Sequence, residues 1–378
     1  MDPLVLTLNA GSSSLKYALF PARNDDAARD RIAAGAVMRI GVDGGDAVDH
    51  AQALEKVLQA LTVHGCLAQL VAVGHRVVHG GPHYDRATIV TGDVLSALRD
   101  LRPLDPDHMP VAIALIEAMQ KRMPELPQVA CFDTAFHRTM PRVARTLPIP
   151  RAFEAEGITR YGFHGLSYGY LMNELERLAG AKAARGRIVL AHLGSGSSLA
   201  AVSNGKCIDT TMGFTPTSGI PMGTRSGDLD PGVLLYLLRS KKLSVDAVDD
   251  LVNRKCGLLG VSETTSDMRD LLAREPSDPR AREAVDVFSY AAKKAIGALA
   301  AALGGIDTLI FSGGIGAKAA PARARIAQGL EHLGIAIDAE KNEASAAILS
   351  SHESPCTVRV IETDEESVIA RETAALLG

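Results

Sequence analysis

The chain has 378 residues, enough for two domains that each bury a core, with 47% hydrophobic and 22% charged residues and a net charge of −4. That is an ordinary soluble balance, and its slight acidity excludes a basic nucleic-acid-binding surface. Five cysteines, at 66, 131, 207, 256 and 356, form no C-x-x-C pair, which argues against zinc and disulfide scaffolds and for a reducing cytosol.

At the N-terminus Asp2 and a short apolar run do not make a signal peptide. Leu4–Leu8, the small turn Asn9-Ala10-Gly11-Ser12-Ser13-Ser14 and Leu15–Phe20 read as a buried hairpin. Gly and Ser at the turn let backbone N–H groups approach an anion; Asn9 can hold a hydrated cation and Lys16 can face a phosphate. Arg23 to Arg31 is charged and loop-like, and Ala51–Leu61 has helical apolar spacing. Leu70–Val78 is a strand running into Gly80-Gly81. His75, His79 and His83 recur every fourth residue, but Gly80, Gly81 and Pro82 exclude the helix that would make them a metal face. Arg76 stands where this strand opens into a loop, the place for a guanidinium that receives an anion or pairs with a carboxylate.

Gly92–Leu101 and Val111–Met123 read as helices, and Val129–Phe132 as a strand with Asp133 at its exit, either a catalytic acid or a turn cap. Pro141, Pro148 and Pro150 stiffen the expected crossing into a second domain. Tyr161-Gly162-Phe163-His164-Gly165 sets a glycine-flanked His ahead of a helix carrying Leu171, Leu175 and Leu178. Ile188–Leu199 then repeats the first hairpin: Ile188 answers Leu4 at an offset of 184, with Val5/Val189, Leu6/Leu190, Ser13/Ser197, Ser14/Ser198 and Leu15/Leu199 identical. An offset near half the chain predicts two copies of one domain type, whose phosphate-binding hairpins would face a nucleotide across a cleft. The uncharged window 188–205 is broken by Gly, Ser and His, so no membrane span is expected.

Farther on, Met222–Pro231 offers a second anion-seeking residue, Arg225, among glycines and closes in an Asp-Pro helix start. Asp267-Met268-Arg269 follows a loop, and Ala281–Leu303 is a long amphipathic helix. Thr308–Phe311 feeds Ser312-Gly313-Gly314-Ile315-Gly316, a strand–glycine–helix passage suited to a nucleotide. Val358–Ile361 leads to the acidic run Glu362–Glu366 and a final helix, where a carboxylate can hold Mg²⁺ or favour the helix start.

Taken together, Asn9–Lys16, Gly74–Gly81, Phe132–His137, Tyr161–Gly165, Met222–Pro231 and Ser312–Gly316 resemble the acetate kinases, part of the actin, sugar-kinase and heat-shock chaperone superfamily. The resemblance runs from Leu4 to the last helix. It implies an α/β fold of duplicated ribonuclease H-like domains around a central nucleotide cleft, with one domain over 1–137 plus 367–378 and a nucleotide-binding domain over 138–366. It implies a cytoplasmic, homodimeric enzyme that reversibly transfers the ATP γ-phosphoryl group to acetate with Mg²⁺, Mn²⁺ being an alternative. Asn9 and Glu365 would hold the metal. Lys16, His192, Leu193, Gly194, Ser195, Gly196, Asp267, Met268, Arg269, Gly314, Ile315, Gly316, Ala317 and Lys318 would bind nucleotide. Arg76, Asp133, His164 and Arg225 would surround the transferring group, with Arg76, Val78 and Phe163 at the acyl substrate.

A carboxylate acceptor needs no general base; two guanidiniums and a metal suppress its repulsion from the γ-phosphate. The sequence departs from the family at Ser195, where Asn is usual, and at Ala317-Lys318, where Glu-Asn is usual. Both departures bear on nucleotide preference. Propionate kinase is the nearest alternative. A sugar or glycerol kinase, with Asp133 as base, and a non-enzymatic actin-like ATPase switch are more distant ones.

Overall fold

The computed structural model describes residues 3–11, 13–22 and 31–377; Asp2, Ser12 of the first turn and the charged stretch 23–30 lie outside them. Alternation along the first strands decides how their sheet is covered. The strands are β1 (Leu4–Gly11), β2 (Ser14–Pro21), β3 (Ala33–Met38), β4 (Leu70–Val77), β5 (Thr88–Ile89) and β6 (Gln128–Phe132), ordered β3-β2-β1-β4-β6-β5. Leu4, Leu6 and Leu8 of β1 pack with Leu54, Val57, Leu58 and Leu61 of the helix His50–Val63. The intervening Val5 turns to the opposite face, against Ala370 and Ala374 of the final helix, Glu365–Ala375. On β6, Ala130 and Phe132 join the helices Gly92–Asp100 and Met109–Arg122, whereas Val129 and Cys131 meet Val368 and Ile369.

The final helix lies so close to β4 that a Cβ on Gly74 would stand 2.5 Å from Ile369 Cγ2 and would also collide with Thr373 Oγ1. Glycine is what that approach requires.

The second sheet contains β7 (Arg187–Leu193), β8 (Ser197–Ser203), β9 (Lys206–Thr210), β10 (Thr308–Ser312) and β11 (Thr357–Val360), in the order β11-β10-β7-β8-β9. Its core is built on the long helix Pro279–Leu303, through Val285, Phe288, Ala292 and Ile296, against Val189, Leu199, Leu309 and Phe311.

Both sheets follow one plan. An antiparallel meander (β1-β2-β3, or β7-β8-β9) is extended on the side of its first strand by parallel strands (β4 and β6, or β10 and β11). The sequence repeat is therefore a repeat of topology, and the fold is a duplicated ribonuclease H-like α/β fold. Two compact units are distinguished: Met1–Arg138 with Gly165–Tyr170 and Asp364–Gly378, and Thr139–His164 with Leu171–Thr363. No helix among the described residues is long and apolar enough to cross a membrane.

Candidate functional site

In the first unit β1, β4 and β6 run parallel, so Asn9, Arg76 and Asp133 come to the same, carboxyl end of the sheet. Such ends are where ligands meet open α/β sheets. Asp133 is buried at 1% exposure and accepts three hydrogen bonds from one guanidinium: Arg76 Nε to both carboxylate oxygens (3.1 and 3.2 Å) and Nη2 to Oδ2 (2.6 Å). Arg76 Nη1 also donates to Asn9 Oδ1 at 3.3 Å. The Asn9 amide in turn donates to Glu365 Oε2 (2.9 Å) and Glu366 Oε1 (3.0 Å) at the start of the final helix, whose first turn is capped by Asp364.

This cluster is electrostatically tense. Burial and the nearby Glu365 push the Asp133 carboxyl up, and Arg76 opposes them. Burial works against the Arg76 charge, but Asp133, Glu365 and Glu366 hold the guanidinium firmly protonated. Burial and then the Glu365 charge push the Glu366 carboxyl up, while Lys16 and Asn9 pull it down. Lys16 itself lies directly across the hairpin from Asn9.

In the second unit His192, one residue before the end of β7, pairs with Ser312 at the end of β10, so the turns after these strands are neighbours. Gly313 takes φ +73°, and a Cβ there would lie 2.5 Å from Leu193 O. The 194–197 turn is closed by Gly194 N donating to Gly196 O (3.1 Å) and to Ser197 Oγ (3.1 Å). Beside it stands His164, in left-handed backbone (φ 59°), its Nδ1 hydrogen-bonded to Ser198 Oγ at 2.9 Å and its ring stacked on His192 at 4.4 Å.

Two sets of contacts fix this arrangement. Arg160 Nη1 donates to the carbonyls of Thr210, Thr211 and Met212, and Tyr161 N donates to Gly213 O. Gly223 N donates to Ser195 O, which brings the Arg225 loop against the turn. A Cβ on Gly196 would lie 3.3 Å from His164 Nε2 and 3.6 Å from Arg225 Nη1, so an imidazole and a guanidinium converge on one glycine.

Other residues singled out from sequence present less. Val78, Phe163, Leu193, Met268 and Ala317 are buried, and Met268 belongs to the core of the second unit. Asp267 caps the helix Met268–Arg274, and the exposed Arg269 that hydrogen-bonds it holds its carboxyl down at about 2. Gly314, Ile315 and Gly316 begin the short helix Gly313–Lys318, where Lys318 is 71% exposed and 3.9 Å from Glu362. His75 donates to Gln128 Oε1 (2.6 Å), and burial drives it down to about 4, so it is a neutral core residue.

Glu366, Ser198 and Arg160 were not picked out from sequence. The acidic run and the Gly-Ser-Gly-Ser-Ser turn flagged the neighbourhood of the first two; nothing local marks Arg160.

Among the described residues no group of three or more His, Cys, Asp or Glu is arranged for a metal. The carboxylates of Glu365 and Glu366 converge on the Asn9 amide nitrogen, and Asn9 Oδ1 faces Arg76.

The chain matches the acetokinase family over residues 4–371. It is 44% identical over 401 residues to an acetate kinase of Methylocella silvestris, covering 100% of this chain and 98% of the relative. Its structure is similar to that of Porphyromonas gingivalis acetate kinase (TM-score 0.89, 36% identity, 100% of both chains). It is also similar to a propionate kinase from Francisella tularensis (TM-score 0.91, 34% identity, 98% of this chain and 99% of that one).

Proposed function

Because the chain belongs to the acetokinase family, we propose that it acts as an ATP:acetate phosphotransferase, moving the γ-phosphoryl group directly and reversibly between ATP and acetate. The observation that carries this reading is the use made of Asp133. With three guanidinium hydrogen bonds on its carboxylate, it is engaged as the holder of Arg76 and is poorly disposed to take a proton from a sugar hydroxyl. An acceptor that is already an anion needs no such base. It needs its repulsion from the γ-phosphate neutralised, and the guanidiniums of Arg76 and Arg225 are chemically suited to that; one such Arg is typically worth about 10³–10⁵ in rate.

In this reading Arg76 orients the acetate carboxylate, Val78 and Phe163 limit the acyl group, and His164 with Arg225 stabilises charge on the transferring oxygens. The 192–196 turn with Lys16, the 267–269 segment and the 314–318 loop receive ATP. Asn9 and Glu365, with Glu366 beside them, would hold Mg²⁺ or Mn²⁺ through hard oxygen donors, and a cation there would relieve the mutual repulsion of the two carboxylates that accept from the Asn9 amide. When bound, such an ion offsets phosphate charge; two or three protein oxygens leave the rest of its shell to water and phosphate.

The test is incubation with ATP, Mg²⁺ and acetate, trapping the acyl phosphate as its hydroxamate. Hydroxamate that appears with acetate, and not with glycerol or hexoses, is the expected result. ATP hydrolysis without hydroxamate would instead mark a nucleotide switch. Direct transfer also predicts inversion at phosphorus with a chiral γ-phosphoryl donor.

The likeness to a propionate kinase supports a second reading in which the acyl pocket admits one more methylene. The ratio of kcat/KM for acetate and propionate separates the two. One methylene is worth roughly 10- to 200-fold in a fitted pocket. A homodimer working in the cytoplasm completes the proposal, and sedimentation of the purified protein tests the dimer.

A further inference from the structure

The loop that follows β10 is held from beneath by a buried cation. Arg323, on the helix Ala320–Ala327, has 0% exposure. Its guanidinium makes five hydrogen bonds: Nη1 to Gly316 O (3.0 Å) and Ala317 O (2.9 Å), Nε to Asn342 Oδ1 (2.8 Å), and Nη2 to Asn342 O (2.7 Å) and Ser345 Oγ (2.9 Å). All five acceptors are uncharged. Burial works against the charge, and Glu343 favours it only at a distance, without a hydrogen bond; a buried cation so held costs more than an apolar side chain of the same size, so packing alone does not account for it.

What the guanidinium does achieve is local. The carbonyls of Gly316 and Ala317 end a six-residue helix that is too short to hold its own shape, and helix ends leave such carbonyls without partners. Arg323 takes both and ties them to a second anchor. Asn342, itself buried, accepts from the guanidinium and donates its amide to Ala320 O at 2.9 Å. On its other side the segment lies against β7, where a Cβ on Gly316 would come into ordinary contact with Ala191 O (3.5 Å) and Leu193 Cβ (3.6 Å).

We propose that Arg323 is a positioning residue for nucleotide binding: from below, it sets the backbone of Gly314–Ala317 in the form that receives the phosphates of ATP. This rests on the reading above that the 314–318 loop binds nucleotide. Arg323 touches no substrate, so its effect falls on nucleotide affinity and spares the acyl substrate.

The test compares Arg323→Met, Arg323→Lys and Ser345→Ala, measuring KM for ATP, KM for acetate and kcat. Arg323→Met should raise KM for ATP about tenfold or more, with KM for acetate little changed, since hydrogen bonds to a charged donor are the strong ones. Arg323→Lys, which keeps the cation and some of its bonds, should recover part of the loss. If the Met variant does not fold, Ser345→Ala, which removes one bond far from any substrate, should still raise KM for ATP about two- to fivefold. An equal rise in both KM values, or an unchanged KM for ATP in every folded variant, overturns the proposal. Hydrogen exchange of the wild-type enzyme with and without ADP separates the two readings. If ADP fails to protect amides 313–318, the loop assignment is wrong; if it protects them while the variants keep the wild-type KM for ATP, only the role of Arg323 is.

Discussion

Arg76 and Asp133 form a single unit, a guanidinium and a carboxylate joined by three hydrogen bonds at the mouth of β4 and β6, with 17% and 1% of their side chains exposed. Neither can be altered without altering the other.

The first prediction follows from that pairing. Arg76→Ala should lower kcat at least about a hundredfold through lost charge stabilisation. It should also destabilise the fold by ~3–5 kcal/mol, because Asp133 is left buried and unpaired. Adding Asp133→Asn should restore most of the stability and none of the kcat. Arg225, which donates to Pro216 O at 3.3 Å, should on substitution to Ala lose kcat comparably. Near-normal kcat in a folded variant would make that arginine structural.

Glu365→Ala should raise the Mg²⁺ concentration for half-maximal rate several-fold, since Asn9 and one neighbouring carboxylate make a poor shell. Glu366→Ala should do the same to a lesser degree. A titration curve that overlays the wild type for Glu365→Ala would remove this residue from the metal site.

The close approach of the final helix to β4 makes Gly74→Ala a test of how that helix is seated. The new methyl group meets Ile369 and Thr373, so a loss of ~1–3 kcal/mol is expected from overpacking. Because the same helix begins with Glu365 and Glu366, its displacement should also raise the Mg²⁺ requirement. Wild-type stability and metal dependence together would show that the helix yields without cost.

Glu372, on the same helix, sets a pH dependence. Burial pushes its carboxyl above the ordinary glutamate value, while Cys131, Arg371 and Arg138 pull it down, and its Oε2 is buried with no hydrogen-bond partner among the described residues. The folded state therefore binds this proton more tightly than the unfolded chain does. That contribution is fully present below the unfolded value near 4.5 and is lost as pH rises through the raised folded value. Glu372→Gln has no such loss. Its Tm advantage over the wild type should grow across this window and then level off; a pH-independent difference would contradict the sign.

Ser195→Asn should lower KM for ATP a few-fold for each hydrogen bond gained, because Asn reaches farther from the exposed turn and offers both donors and an acceptor. Lys318→Asn should change little, since Lys318 lies in solvent beside Glu362. Comparison of kcat/KM for ATP, GTP and pyrophosphate in each single variant decides whether either residue governs the choice of donor.

The elements legible in sequence were those with one clear period. The hairpins β1-β2 and β7-β8, the long helix Pro279–Leu303 and the strand feeding Gly313 all lie where apolar spacing and glycine put them. The third strands, β3 and β9, were not legible, because short stretches such as Ala33–Met38 acquire their pairing only from a neighbour. The helix expected around Leu171, Leu175 and Leu178 runs from Gly165 to Ala184, broken at Gly180 (φ 80°).

Within the candidate site, motif residues could be named, but their partners could not. That Arg76 is held by Asp133, His164 by Ser198 and the 316–317 carbonyls by Arg323 depends on contacts distant in sequence or on burial that no local pattern reports.

The last helix closes a sheet whose first strand is made at the opposite end of the chain, and this has a consequence for biosynthesis. Val5, Phe20, Val129 and Cys131 leave the ribosome early, yet the surface that covers them, Val368, Ile369, Ala370 and Ala374, is translated only after the whole of the second unit. At about 5–20 residues per second, an apolar sheet face stays uncovered for tens of seconds while the second unit emerges and can fold. Nascent chains stalled before Asp364 should thus expose a sticky, chaperone-binding face on the first unit, and release of the final helix should extinguish it.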